Sequence, residues 1–274
     1  MTSGSRLSSH KPQFRPPGVL LSGAQATVTS HKPLPIMPRL LHLLDRGSLG
    51  LIVSLPDNDP ELARSAVLGG ADALKVHIGL RHEASGTIFG SFQEERARIL
   101  SVMDVAPGIP LGVAIGPDAG LTPSDYHELS HGGISFLDAF PRHLPAWIRD
   151  EGGPDLLLAL DKDAAPYDLG GLARFGRIAV ELAIIPEDGY GLPLTLEDVF
   201  RYSCFRSAIR QPIVVPTQRH IEPRDLAALA RVGVDGVMIG AVVTGATAGG
   251  IEDATRSFRT AIDDINAGGR LPSD

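Results

Sequence analysis

The sequence contains one cysteine, Cys204, in 274 residues, so it cannot close an internal disulfide. That fits a reducing cytoplasm. Cys204 lies mid-segment, away from the base or helix N-terminus that a reactive thiol needs, and reads as a small apolar residue on a helix. Basic clusters are missing too, and the net charge is -7. Nucleic acid is thereby excluded as the main partner, because phosphate backbones are held by clustered Lys and Arg. A small anion is not excluded, since it needs only a few local donors. No apolar run approaches the ~20 residues that cross a bilayer, and the first residues lack the apolar core of a secretory signal. The expectation is a soluble cytoplasmic protein with no membrane partner.

What remains is an ordinary globular balance, 43% hydrophobic and 21% charged, over a length that suits one large core. Residues 1–32 are rich in Ser, Pro, Gly and Lys and read as a poorly ordered N-terminal extension. Residues 268–274 look like a short C-terminal tail. Between them, over 33–267, one alternation repeats. Eight short buried-type runs are strand candidates: 50–55, 73–78, 110–115, 134–138, 155–160, 177–185, 212–216 and 236–240. Helical patterns follow at 59–68, 92–105, 195–209, 223–231 and 251–265. Thr195 with Asp198 three residues on is close to a capping box. Segments after the third, fourth and fifth strands are shorter, and 37–44 reads as an extra helix able to plug a barrel floor.

Eight strand–helix units with no antiparallel hairpin signal predict a single (β/α)8 TIM barrel with an N-terminal extension and a short extra helix. An open doubly wound sheet is the alternative. Its glycine-rich turn after the first strand is lacking here, where the chain reads LPDNDPE.

In such barrels the active site lies at the C-terminal ends of the strands. Side chains alternate along a strand, so Lys75 and His77 share one face of the second strand while Leu74, Val76 and Ile78 share the other. With the apolar face outward, Lys75 and His77 point into the barrel. A buried lysine is costly unless paired or uncharged, which suggests a general base, a Schiff-base nucleophile or an anion anchor. A structural ion pair is the competing account. Acids at comparable positions are Asp138, Asp161 and Glu181, of which Glu181 interrupts an otherwise apolar strand. A lysine and an acid across a small cavity can move protons beside a carbonyl. Lys75, His77, Glu181, Asp161 and Asp138 are therefore the catalytic candidates. No cofactor is expected. A divalent metal on His77, Asp118, Asp138 and Asp161 is a minority alternative, because no short ligand motif supports it. The loop 79–91 is long for its place; Gly86 and Gly90 offer hinges, and a lid over the barrel mouth is expected.

The run QPIVVPTQRHIEPRDLAALARVGVDGVMIGAVVTG, residues 211–245, resembles the last strand–helix–strand unit of the phosphate-binding (ribulose-phosphate-binding) barrel superfamily. Pro223-Arg224-Asp225 starts the helix, Gly233-Val234-Asp235 makes the turn, and Ile239-Gly240-Ala241 ends the strand. The nearest look is the N-acylmannosamine-6-phosphate 2-epimerase group, through the early LIVS strand, the glycine-glycine-alanine turn at 69–71 and Arg219. The chain departs from the pattern in carrying Thr217-Gln218-Arg219-His220 where many members have glycine, Pro216 and Thr217 where the epimerases have an acid, and Lys75 and His77 where they have arginine.

The resemblance implies an enzyme acting on a small phosphorylated substrate, a sugar phosphate or similar. Isomerisation or epimerisation by lysine and acid is its first reading. A Schiff-base aldolase or lyase using Lys75 and a non-catalytic phosphate-binding barrel are the alternatives. It also implies a phosphate site built from Gln218, Arg219, Gly240 and Ala241, with Gly189 and Gly191 as a third edge, and a possible homodimer. Oriented amides at a helix start favour an anion on physical grounds alone.

Overall fold

The computed structural model describes Met1, residues 39–176 and residues 178–268. The two expected tails otherwise lie outside the described residues. The strands are β1 (Gly50–Ser54), β2 (Ala73–Ile78), β3 (Leu80–Arg81), β4 (Ile88–Phe89), β5 (Leu111–Ile115), β6 (Phe136–Ala139), β7 (Asp155–Leu160), β8 (Ile178–Leu182), β9 (Ile213–Pro216) and β10 (Gly236–Ile239). All but β3 and β4 form one closed parallel barrel in the order β1-β10-β9-β8-β7-β6-β5-β2. The α-helices are α1 (Leu40–Leu44), α2 (Pro60–Leu68), α3 (Phe92–Val105), α4 (Pro123–His131), α5 (Leu196–Ala208), α6 (Leu226–Arg231), α7 (Ala241–Thr244) and α8 (Ala248–Ala267). The protein is a (β/α)8 TIM barrel. After β6 and β7 the α-helix is replaced by 3-10 segments, Pro141–His143, Ala146–Asp150 and Pro166–Arg174.

Local chemistry starts the helices where they start. Asp59 accepts the Glu61 amide at 2.7 Å, with Pro60 in the first turn of α2. Ser91 with Glu94, Thr122 with Asp125, and Thr195 with Asp198 form capping boxes before α3, α4 and α5. Cys204 lies on α5 and is half-buried.

The alternation of side chains divides the core in two. Leu51, Val53, Leu74, Val76, Val180 and Leu182 face outward into the layer between barrel and helices. Ile52, Ala73, Phe136, Leu157, Ala179, Val214 and Met238 face inward and pack on Leu40, Leu41, Leu43 and Leu44 of α1, which closes the barrel floor. Asp155 anchors this plug, accepting the Leu41 amide at 3.1 Å and pairing with Arg39 at 3.0 Å. Gly112 is required opposite Phe136, since a Cβ there would sit 2.1 Å from the ring.

One element differs from expectation. The loop after β2 contains an antiparallel hairpin, β3 with β4, pairing Leu80 with Phe89 and Arg81 with Ile88. Its base is fixed by backbone: Gly79 donates to Gly90 O at 2.6 Å, and Asp118 donates to Gly79 O at 3.0 Å. Gly79 takes φ +60, and a Cβ there would meet the Ala119 nitrogen at 2.1 Å. Its tip is tied down by Ser85, whose hydroxyl donates to Pro56 O at 3.0 Å. Among the described residues, no helix is long and apolar enough to cross a membrane.

Candidate active site

A cavity of about 520 Å³ opens at the C-terminal end of the barrel, within the range of small-molecule sites. Inward-facing residues of the strands form its floor. Lys75 Nζ donates to Asp138 Oδ2 at 2.7 Å and lies 3.9 Å from Glu181 Oε2. All three are buried: 8%, 3% and 7% exposed. Three strands, β2, β6 and β8, therefore deliver one ammonium and two carboxyls to a single point.

Such a cluster cannot hold two bare carboxylates against one cation without strain. Burial drives Glu181 well above the ordinary carboxylate value, the neighbouring Asp138 adds to the rise, and Lys75 only partly opposes it. Glu181 is therefore the acid whose proton is held most firmly by burial. Burial works to lower Lys75, but the charges of Asp138 and Glu181 and the hydrogen bond to Asp138 outweigh it, so the ammonium sits above the usual lysine value. Asp138 Oδ1 is buried and has no hydrogen-bond partner among the described residues.

His77 stands two residues along β2, 2% exposed. Its Nε2 is 3.2 Å from Ser54 Oγ. The backbone of His77 is clamped by the fully buried Asn58, which accepts from His77 N at 2.9 Å and donates to His77 O at 2.7 Å. Asn58 also donates to Glu95 at 2.9 Å. The hairpin covers the imidazole: Phe89 stacks at 4.9 Å and His82 packs edge-on at 4.8 Å. Burial first, then His82 and Lys75, hold His77 well below its ordinary value, so the ring is neutral. Burial and Lys75 likewise lower His82 to about 4.

The β9–β10 edge supplies Pro216, Thr217, Gln218, Gly240 and Ala241 to the cavity wall. Thr217 Oγ1 accepts the Gly240 amide at 2.9 Å. The next amides, of Ala241 and Val242, open the first turn of α7, where no acceptor exists within a helix. Gln218 is engaged on both sides, accepting from Ile185 N at 3.0 Å and donating to the Tyr190 hydroxyl at 2.6 Å.

Three expected anion-site residues lie elsewhere. Arg219 does not reach the cavity: its Nε and Nη2 face Asp198 at 2.9 Å and 3.1 Å, and Nη1 donates to Gly189 O at 3.0 Å. Gly189 serves that contact, since a Cβ there would lie 2.9 Å from Arg219 Nη1. Gly191 donates to Gln218 O at 2.9 Å and is no part of the wall. Asp161 is also apart, paired with Arg142 at 2.7 Å near the surface. Asp118 does line the cavity. Among the described residues, no group of three or more His, Cys, Asp or Glu side chains is arranged to hold a metal ion.

Sequence reasoning did not place Ser54, Thr217 and Tyr190 in the site; all three line the cavity, together with His82 of the 79–91 loop. Ser54 had a usable signal, being the polar residue at the inward end of an otherwise apolar strand. Tyr190 had none, because a 3-10 turn and Gln218 bring it inward.

No protein-family model matches the chain, and no curated protein does. Solved structures do. A thiamine phosphate pyrophosphorylase from Pyrococcus furiosus is similar at TM-score 0.54 and 15% identity, over 79% of this chain and 96% of that one. Tryptophan synthase from Mycobacterium tuberculosis is similar at TM-score 0.58 and 15% identity, over 86% and 100%. A Rubisco-like protein from Rhodopseudomonas palustris is similar at TM-score 0.55 and 18% identity, over 81% and 66%. At such identities the likeness establishes the barrel fold.

Proposed function

We propose that the cavity is the active site of an enzyme that isomerises or epimerises a small phosphorylated compound, a sugar phosphate or similar, by proton transfer. The observation that carries this reading is the buried contact of Lys75 with Asp138 and its closeness to Glu181. A substrate carbonyl placed against Lys75 has its developing negative charge met by the ammonium in a buried site. Asp138, in contact with Lys75, is the group placed to take a proton from the adjacent carbon, and Glu181, raised by burial, is the group placed to return one. Isomerisation returns it to a neighbouring carbon; epimerisation returns it to the opposite face.

The phosphate end of the substrate is placed at Gly240 and Ala241, where the amides of α7 begin beside Thr217. The same barrel in a thiamine phosphate pyrophosphorylase supports a phosphorylated ligand. A Schiff base requires Lys75 uncharged, and the 2.7 Å contact with Asp138 favours the ammonium. Proton transfer is therefore preferred over an aldolase or lyase.

The test is deuterium incorporation from solvent into a panel of sugar phosphates, followed by NMR. Wild type is expected to exchange at least one substrate and Lys75→Ala none. A borohydride-stable adduct on Lys75, or binding without exchange, would sink the proton-transfer reading.

A further inference from the structure

Ser54 is the last residue of β1, 6% exposed, and its only partner among the described residues is His77 Nε2. A neutral imidazole carries one N–H. His77 Nδ1 is buried with no partner among the described residues. An orphaned buried N–H is among the rarest arrangements in folded proteins, so the proton belongs on Nε2. Nε2–H then donates to Ser54 Oγ, and the serine's own hydrogen is left without an acceptor in a wall of the cavity.

The neighbour on that side is Gly240. A Cβ built on Gly240 would lie 3.6 Å from Ser54 Cβ, with no closer obstruction. Ser54 thus lies directly beside the start of α7, and the serine, Gly240, Ala241 and Val242 line the same cavity. That is the end of the cavity where the proposed function puts the substrate's anion.

We propose that the Ser54 hydroxyl is a direct donor to the substrate's phosphate, with His77 as the residue that turns it there. The proposal rests on the anion site put forward above. His77 acts as a positioning residue: by occupying the serine oxygen's lone pair it directs the hydroxyl hydrogen toward the ligand. The imidazole sits between this donor and the hairpin rings of His82 and Phe89, so the hairpin fixes the orientation of the anion end as well as covering the cavity.

The experiment is calorimetric titration of inorganic phosphate into wild type, Ser54→Thr and Ser54→Val. Thr and Val have the same shape, so folding defects affect both alike, while only Thr keeps the hydroxyl. Ser54→Val is expected to bind phosphate roughly tenfold more weakly than Ser54→Thr, the size of one hydrogen bond to a charged group. Equal affinities overturn the serine contact and leave the anion site standing. Failure of wild type to bind phosphate overturns the anion site itself. His77→Phe is expected to weaken phosphate in the Ser54 background and to add nothing to Ser54→Val. An undiminished effect in that double variant would show that His77 acts only through the fold.

Discussion

Lys75 Nζ and Asp138 Oδ2 meet at 2.7 Å in the floor of the cavity, from strands whose residues are 63 positions apart. Breaking a buried pair leaves an uncompensated charge, which costs more than the pair's own net contribution. Lys75→Met is expected to lose roughly 3 kcal/mol of stability. Adding Asp138→Asn is expected to restore most of it. Neither variant should exchange deuterium into substrate. Urea unfolding and NMR separate the two effects, and a stable, exchange-competent Lys75→Met would contradict both.

Glu181 gives a pH dependence of defined sign. Its folded value is raised above the ordinary 4.5. The stability it contributes is therefore complete below that ordinary value and is lost as pH rises through the folded value. Urea midpoints of wild type are expected to fall as pH climbs out of the carboxylate range. Glu181→Gln, which stays neutral, is expected to flatten that arm of the profile. An unchanged slope in the variant would count against a protonated Glu181.

His82 acts in the opposite direction. Its folded value falls from 6.5 to about 4. The unfolded chain takes up the proton first, so stability is full above 6.5 and is lost as pH falls toward about 4. A second charge would also face Lys75 and the ring of His77. His82→Gln is expected to reduce acid sensitivity in that window, read from thermal melts at stepped pH.

Arg219→Ala is expected to destabilise the fold rather than to weaken anion binding selectively. It would take the cation from Asp198, whose side chain is 4% exposed, and leave Thr195 as its remaining partner. A loss of roughly 2 kcal/mol follows from removing hydrogen bonds to a charged group. Phosphate affinity of the folded variant should stay within about twofold of wild type, well under one hydrogen bond's worth. A selective loss of phosphorylated ligands would restore a direct role for the arginine.

Two glycines of the hairpin make a matched pair. Gly79→Ala places a Cβ 2.1 Å from the Ala119 nitrogen at φ +60, whereas Gly86 has φ +74 with nothing within 4 Å. Gly86→Ala is expected to cost roughly 1 kcal/mol from backbone conformation alone. Gly79→Ala must also displace backbone and is expected to cost well over twice that, measured by urea unfolding. Comparable costs would mean that the hairpin base yields easily.

The sequence by itself determined the repeating strand and helix pattern, because burial on a parallel strand and capping of a helix are local matters. The 73–78 and 155–160 runs and the 92–105 helix coincide with β2, β7 and α3. Period-two alternation also put Lys75 and His77 on one face. Tertiary structure alone decided the partners. Lys75 reaches Asp138 and Glu181 only because barrel closure sets the registers of β2, β6 and β8. Asp161, on the same reasoning from strand ends, lies one step beyond β7 and turns to Arg142 instead. Arg219 looked free for an anion, yet the start of α5 brings Asp198 to it across 21 positions. The β3–β4 hairpin escaped notice because two-residue strands carry no readable period. Ser54 and His77 meet because β1 and β2 align Ser54 with Lys75, and such a register is a property of the closed sheet, not of either strand.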